Sequence, residues 1–236
     1  MTPPDPRLVL GDMSGGRILD VATGDGAFIR WLLDGLRDHD EIVGIDANGA
    51  RAEAFADAFG DRPDVRFEPM DAHCLAFPDA SFHTVCVSNS LHHFADPLPI
   101  LAEMRRVLRP GGHVIVNEMY RDGQSDTQMT HVLLHDWWAA VGTLRGDVHR
   151  ETYRRADLVR ILDGLDLTGL RLADLADPDV DPHDPATRAE LEAAIDRYLV
   201  LADGSPVLQA RGEELRTRLR AVGVRDATQL VAVGRT

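Results

Sequence analysis

The sequence predicts an α/β fold built on a doubly wound parallel sheet, and three observations carry that reading. Short apolar runs rich in β-branched residues alternate with segments of helical apolar spacing across residues 17–119, the pattern left by right-handed strand–helix–strand crossovers. In RILDVATGDGAFIR, Arg17 to Arg30, an apolar strand runs straight into a glycine-rich turn and a helix, the place where such a sheet binds a nucleotide-like ligand. A second carboxylate, Asp46, closes the next strand twenty positions after Gly26, where a nucleoside-binding unit accepts both ribose hydroxyls.

In the first unit, Ile18, Leu19 and Val21 supply the buried strand and Gly24 and Gly26 permit the tight turn. Phe28, Ile29, Leu32, Leu33 and Leu36 give the next helix its apolar face. A dinucleotide fingerprint needs a third glycine three residues after the second, a place held by Ile29. The second strand, Glu41 to Ile45, ends at Asp46, which also reads as an N-cap for a helix from about Gly49 to Phe59. Val65 to Glu68 is a third strand ending near Asp71, whose plain structural role is a turn, and SFHTVCVSN is a fourth. Leu98, Leu101, Met104, Val107 and Leu108 make one helical face, RPGG breaks it, and Gly112 to Met119 carries the fifth strand.

Beyond residue 120 helices predominate. From Gln124 to Leu144 the apolar positions Met129, Val132, Leu133, Trp137, Ala140, Val141 and Leu144 share one face, with His131, His135 and Trp138 as a second stripe. A further helix at Tyr153 to Leu162 and a sixth strand at Leu167 to Leu175 precede the break DPDVDPHDP. Helices at about Pro185 to Leu201 and Pro206 to Val222 lead to a seventh strand at Gln229 to Val233.

The motif around the first turn reads D-x-A-x-G-x-G, Asp20 to Gly26, with Ala22 where the commonest version has glycine. It resembles motif I of the class I S-adenosylmethionine (SAM)-dependent methyltransferase superfamily, of the type acting on small molecules. DAHCLAFPDASF, SNSLHHF and LRPGGHVIVNE are similar to later motifs of that family in the same order, so the resemblance covers about residues 15–120. It departs at His83, where the family often has an acidic residue, so no carboxylate role is carried over there. The resemblance implies a Rossmann-like methyltransferase fold: a seven-stranded, mostly parallel sheet whose last strand is antiparallel beside the sixth. One domain is expected over residues 1–236, with a cofactor core at 15–120 and helical substrate-side elaborations at 121–165, after the fifth strand, and at 177–223, between the sixth and seventh.

The resemblance further implies SAM as cofactor and S-adenosylhomocysteine as its product. Asp20 and the backbone around Ala22, Thr23, Gly24 and Gly26 are expected to hold the methionine amine and carboxylate, and Asp46 the ribose. Asp71 would bind the adenine amino group with Ala47 and Ala72 against the ring, while Ser88, Asn89 and His93 lie on the cofactor side. A helix inserted after the fifth strand covers the substrate in relatives, so the His131–Trp138 stripe either looks into the active site or is an exposed polar face.

With 39 acidic and 25 basic side chains and a formal charge of −14, the chain repels phosphate backbones, which argues against a nucleic-acid partner and for a small substrate. The length suffices to bury a core without disulfides. Its two cysteines, Cys74 and Cys86, form no C-x-x-C pair, the first residues lack a targeting pattern, and no window reaches the ~20 apolar residues of a membrane span. A cytoplasmic protein, monomeric or homodimeric and without membrane contact, is expected.

Methyl transfer from a sulfonium is an in-line displacement in which alignment supplies most of the rate. Should the acceptor lose a proton, His92, His93, His131, His135 or Tyr120 are the candidate bases or substrate contacts. His131 and His135 are spaced i, i+4 like a helical metal pair, but no H-E-x-x-H carboxylate or cysteine cluster completes a shell, so no metal is expected. Three other readings remain open: a SAM-using lyase or cyclase that does not methylate, a non-catalytic SAM-binding subunit, and a nicotinamide oxidoreductase, the last disfavoured for want of the third glycine.

Overall fold

The computed structural model describes residues 5–236. After a short helix α1 (Arg7–Leu10), β1 (Arg17–Val21), α2 (Ala27–Gly35), β2 (Glu41–Asp46), α3 (Arg51–Phe59) and β3 (Val65–Pro69) form the first half of the winding. The second half begins with β4 (Phe82–Ser88), a 3-10 turn at Leu91–His93, α4 (Leu98–Val107) and β5 (Leu108–Met119). It continues through α5 (Asp126–Leu144), α6 (Arg155–Asp163), β6 (Thr168–Leu175), α7 (Pro185–Leu201), α8 (Pro206–Val222) and β7 (Gln229–Arg235).

The seven strands stand in the order β3-β2-β1-β4-β5-β7-β6. All pairs from β3 to β5 are parallel, and β7 runs antiparallel between β5 and β6. Strand order reverses between β1 and β4, which opens a crevice at their carboxyl ends. Both faces are buried at the centre, hence the near-continuous apolar runs. Leu19, Val43, Val85 and Val114 pack on one side with α4 and α6, while Ile18, Ile42, Cys86 and Ile115 pack on the other with α1, α2 and α3.

Two elements differ instructively from the sequence expectation. The RPGG segment belongs to β5, where Leu108 pairs with Phe82 before a register shift and Gly111 takes φ +72°. The break is therefore an irregularity inside the strand, where five steps of β5 from Leu108 to His113 pass against two of β4 and a left-handed glycine lets the chain turn. Helix α5 buries Leu134 and Ala139 as well as Val132, Trp137 and Val141, and leaves Ala140 and Leu144 exposed. Met129 and Val132 lie against Met119 and Ala227, while Leu134, Trp137 and Val141 meet Ile195, Leu215 and Leu219 from α7 and α8. A helix enclosed on two sides has no single apolar stripe.

Candidate functional site

The crevice between β1 and β4 begins with Asp20, 1% exposed at the end of β1. Its Oδ2 accepts from Thr23 Oγ1 at 2.6 Å and its Oδ1 accepts from Cys86 Sγ at 3.4 Å. Burial raises its pKa to about 6, against the lowering effect of those two hydrogen bonds. Among the described residues no cation pairs with it.

The bend that follows places Ala22, Gly24 and Gly26 at φ +56°, +58° and +80°. The two glycines serve different ends. A Cβ on Gly26 would lie 2.3 Å from Phe59 Cε2, so this position lets the start of α2 pack on α3, while a Cβ on Gly24 would meet nothing within 4 Å. Gly24 thus presents bare backbone to the crevice, where a ligand can approach. Gly24 N donates to Asp46 Oδ2 at 3.0 Å and Asn48 N to Oδ1 at 2.8 Å, so that backbone amides aim the second carboxylate along the same rim. Ala47 is exposed beside it.

Asp71 is brought alongside because Met70 N donates to Asp46 O at 3.0 Å. It is exposed, and its carboxylate accepts from His73 N at 2.9 Å, the main cause of its lowered pKa; Ala72 is buried behind it. Across the crevice Asn117 Nδ2 donates to Ser88 Oγ at 2.9 Å, and Met119 N donates to Asn89 Oδ1 at 3.0 Å with Asn89 at φ +44°. Ser90 Oγ lies 2.7 Å from Ser88 O and 3.3 Å from Ala22 O, its one hydroxyl hydrogen facing both the end of β4 and the glycine bend. Ser88, Asn89 and Asn117 also border a cleft of about 590 Å³ that runs past Phe28, Trp31, Leu175 and Val180. A second cavity of about 540 Å³, lined by Arg37, Arg109, Arg171 and Arg235 with His83, lies at the opposite, amino ends of the strands.

The candidate bases separate into different surroundings. His131 Nδ1 accepts from Ala227 N at 3.0 Å beside Asp226, two residues of the cleft wall, and is not itself part of that wall. Tyr120 is buried, faces Asp174 and Thr228, and its hydroxyl pKa is raised by burial. His135 joins His92, His93 and His149, and the ligating nitrogens of the four all lie within 4.8 Å of one another. Burial, then the neighbouring imidazole His92, lowers His93 to about 3 and His135 to about 2. Imidazoles held that low are weak proton acceptors at neutral pH, so histidine's usual titration range, on which their candidacy as bases rests, does not apply to this pair.

Sequence reasoning missed Glu118, Asn117 and His149. Asn117 and Glu118 read as ordinary strand residues, and His149 lies in a loop whose partners are distant in sequence. An acidic residue within an otherwise apolar strand is the one signal that points to Glu118.

Residues 19–116 match a family model described as a methyltransferase domain. The chain is 42% identical over 107 residues to a demethylmenaquinone methyltransferase of Deinococcus radiodurans, covering 43% of this chain and 42% of that one. It is 31% identical over 149 residues to the demethylmenaquinone methyltransferase of Thermotoga maritima, covering 62% of this chain and 63% of the relative. The chain thus spans under two thirds of the length of these curated relatives. The solved structure of the YcgJ protein from Bacillus subtilis superposes with a TM-score of 0.60 at 18% identity, covering 97% of this chain and 95% of that one, a likeness of fold.

Proposed function

Because the chain carries a methyltransferase domain of the class I SAM-dependent family, with SAM as its cofactor, we propose that it methylates a small organic acceptor at oxygen, nitrogen or carbon. One observation carries the reading: a buried Asp20, paired with no cation among the described residues, and an amide-aimed Asp46 end adjacent parallel strands on either side of an open glycine bend. That donor set fits a ligand with a cationic amine at one extremity and a vicinal diol further along.

When bound, SAM supplies the sulfonium methyl for an in-line displacement. Asp20 and the backbone at Ala22 and Gly24 hold the amino-acid tail, and Asp46 accepts the ribose hydroxyls. Asp71, with Ala47 and Ala72, receives the adenine, and Ser88 and Asn89 border the reacting centre. The adjoining cleft falls within the usual range for small-molecule sites and is partly apolar and aromatic, so it suits a compact acceptor with an apolar body. Since His93 and His135 are poor bases, positioning rather than proton abstraction by this pair carries the rate.

Titration calorimetry is expected to show SAM binding one to one, with Asp20→Ala and Asp46→Ala each weakening it at least tenfold, about 1.4 kcal/mol or more. Unchanged titrations in both variants overturn the site. Incubation with a panel of small acceptors, demethylmenaquinone included because relatives are named for it, is expected to give S-adenosylhomocysteine and a methylated product. Methylthioadenosine instead would indicate cleavage chemistry, and binding without any turnover would indicate a non-catalytic subunit.

A further inference from the structure

Four histidines meet where the 3-10 turn after β4, helix α5 and the loop following it come together. His92 and His93 come from the turn, His135 from the helix and His149 from the loop. Ring centroids lie 4.1 Å apart for His93 and His149, 4.3 Å for His92 and His93, and 4.6 Å for His92 and His135. Backbone ties fix these pieces, since Arg150 N donates to His92 O at 2.8 Å and Thr143 Oγ1 to His149 O at 3.2 Å.

The nitrogens of this cluster are short of partners. His92 is 1% exposed, and its Nε2 makes no hydrogen bond among the described residues; neither do His135 Nδ1 and His149 Nε2. The other nitrogen of His92, Nδ1, lies 3.0 Å from Glu118 Oε1 in a buried carboxylate–imidazole pair. Glu118 also accepts from Leu91 N at 2.9 Å and Met119 N at 3.1 Å, which holds it as a fixed acceptor. That arrangement keeps the proton of His92 on Nδ1 and directs the Nε2 lone pair into the cluster, the orientation that carboxylates impose on metal-bound histidines.

We infer that His92, His93, His135 and His149 bind a divalent first-row transition-metal ion of the zinc type. An all-imidazole set suits zinc, cobalt, nickel or copper and is a poor match for magnesium or calcium, which prefer oxygen. Neither cysteine takes part, because Cys86 is buried beside Asp20 and Cys74 is exposed elsewhere. The nitrogens are within 4.8 Å of one another, whereas a tetrahedral shell with bonds of about 2.0–2.1 Å needs nitrogens about 3.3 Å apart. Binding therefore draws the rings inward by roughly 1 Å, a side-chain adjustment. The ion would pin α5 and its loop to the turn whose neighbour Ser90 contacts Ala22, beside the cofactor crevice. This inference departs from the expectation of no metal, which was argued from the i, i+4 pair His131 and His135; His131 instead meets Ala227 and Asp226, and three partners distant from His135 in sequence surround it.

This inference does not rest on the methyl-transfer reading. The full chain, stripped with chelator, is titrated with cobalt(II) and then zinc(II). About one ion per chain is expected, with the ligand-field absorption of a four-coordinate nitrogen site and displacement of cobalt by zinc. His135→Ala and His149→Ala are each expected to weaken binding at least tenfold, and Glu118→Gln about 10–100-fold. His131→Ala, one turn away on the same helix, is expected to leave metal affinity unchanged. His149 lies in a surface loop, so its variant keeps the test valid if Glu118→Gln fails to fold, as circular dichroism would show. No saturable binding of either ion at micromolar concentration, or unchanged affinity in the His135→Ala/His149→Ala double variant, overturns the site. Calorimetry with SAM on the same samples reads the cofactor crevice separately.

Discussion

Asp20 holds its proton up to about pH 6 because burial disfavours its charge, whereas the unfolded chain releases that proton near the ordinary value of 3.8. A raised folded pKa stabilises the native state fully below 3.8, and that contribution is lost as pH rises through about 6. Binding of a cationic amine has the opposite slope, since it needs the ionised form. SAM affinity is therefore expected to rise about tenfold per pH unit up to about 6 and then level off, and Asp20→Asn to bind weakly with a flat profile. Parallel calorimetric profiles for the two proteins would refute this. Two residues on, Ala22 occupies φ +56°, which explains why glycine is commoner there and shows that alanine is accommodated. These local features were legible because an acid, a glycine bend and a strand end lie within seven residues.

At the scale of elements, α5, α7 and α8 form a layer beyond the sheet, joined by Trp137, whose Nε1 donates to Leu208 O at 2.9 Å. Gly212 lets this happen, as a Cβ there would lie 2.5 Å from Trp137 Cζ2 and 2.7 Å from Leu199 Cδ2. Helix propensity favours Gly212→Ala by about 1 kcal/mol, but overpacking costs typically 1–3 kcal/mol, and the enclosed indole cannot swing aside. A net loss of about 1 kcal/mol is expected by urea denaturation; a gain would mean the helices separate easily. The boundaries of α7 and α8 were readable because Asp184 and Ser205 cap them ahead of Pro185 and Pro206. The buried faces of α5 were not, because two neighbours remote in sequence cover it. The histidine cluster was hidden for the same reason: its members are close only once α5 has folded over the turn after β4.

For the molecule as a whole, a ligand that binds only the folded chain adds stability by mass action. S-adenosylhomocysteine at a hundredfold excess over its dissociation constant is expected to add about 2.7 kcal/mol, a melting-point rise of about 5–10 °C for a chain of this size. Asp46→Ala should abolish most of that rise in a thermal melt, read against the variant's own ligand-free value, which is expected to fall by about 2–4 °C per kcal/mol lost as Gly24 N and Asn48 N lose their acceptor. A large rise retained in the variant would place the ligand elsewhere.

The reversed strand between β5 and β6 has a temporal consequence. β6 pairs with β7 alone, its Leu175 opposite Gln229 some fifty residues later. At a synthesis rate of about 5–20 residues per second, the ribosome emits β6 on the order of several seconds before its only sheet neighbour. Throughout that wait β5 shows a bare edge to solvent or to any chaperone at the exit tunnel. The nascent chain can thus complete the β3-to-β5 part of its sheet early, while its outermost strand remains dependent on the late arrival of β7.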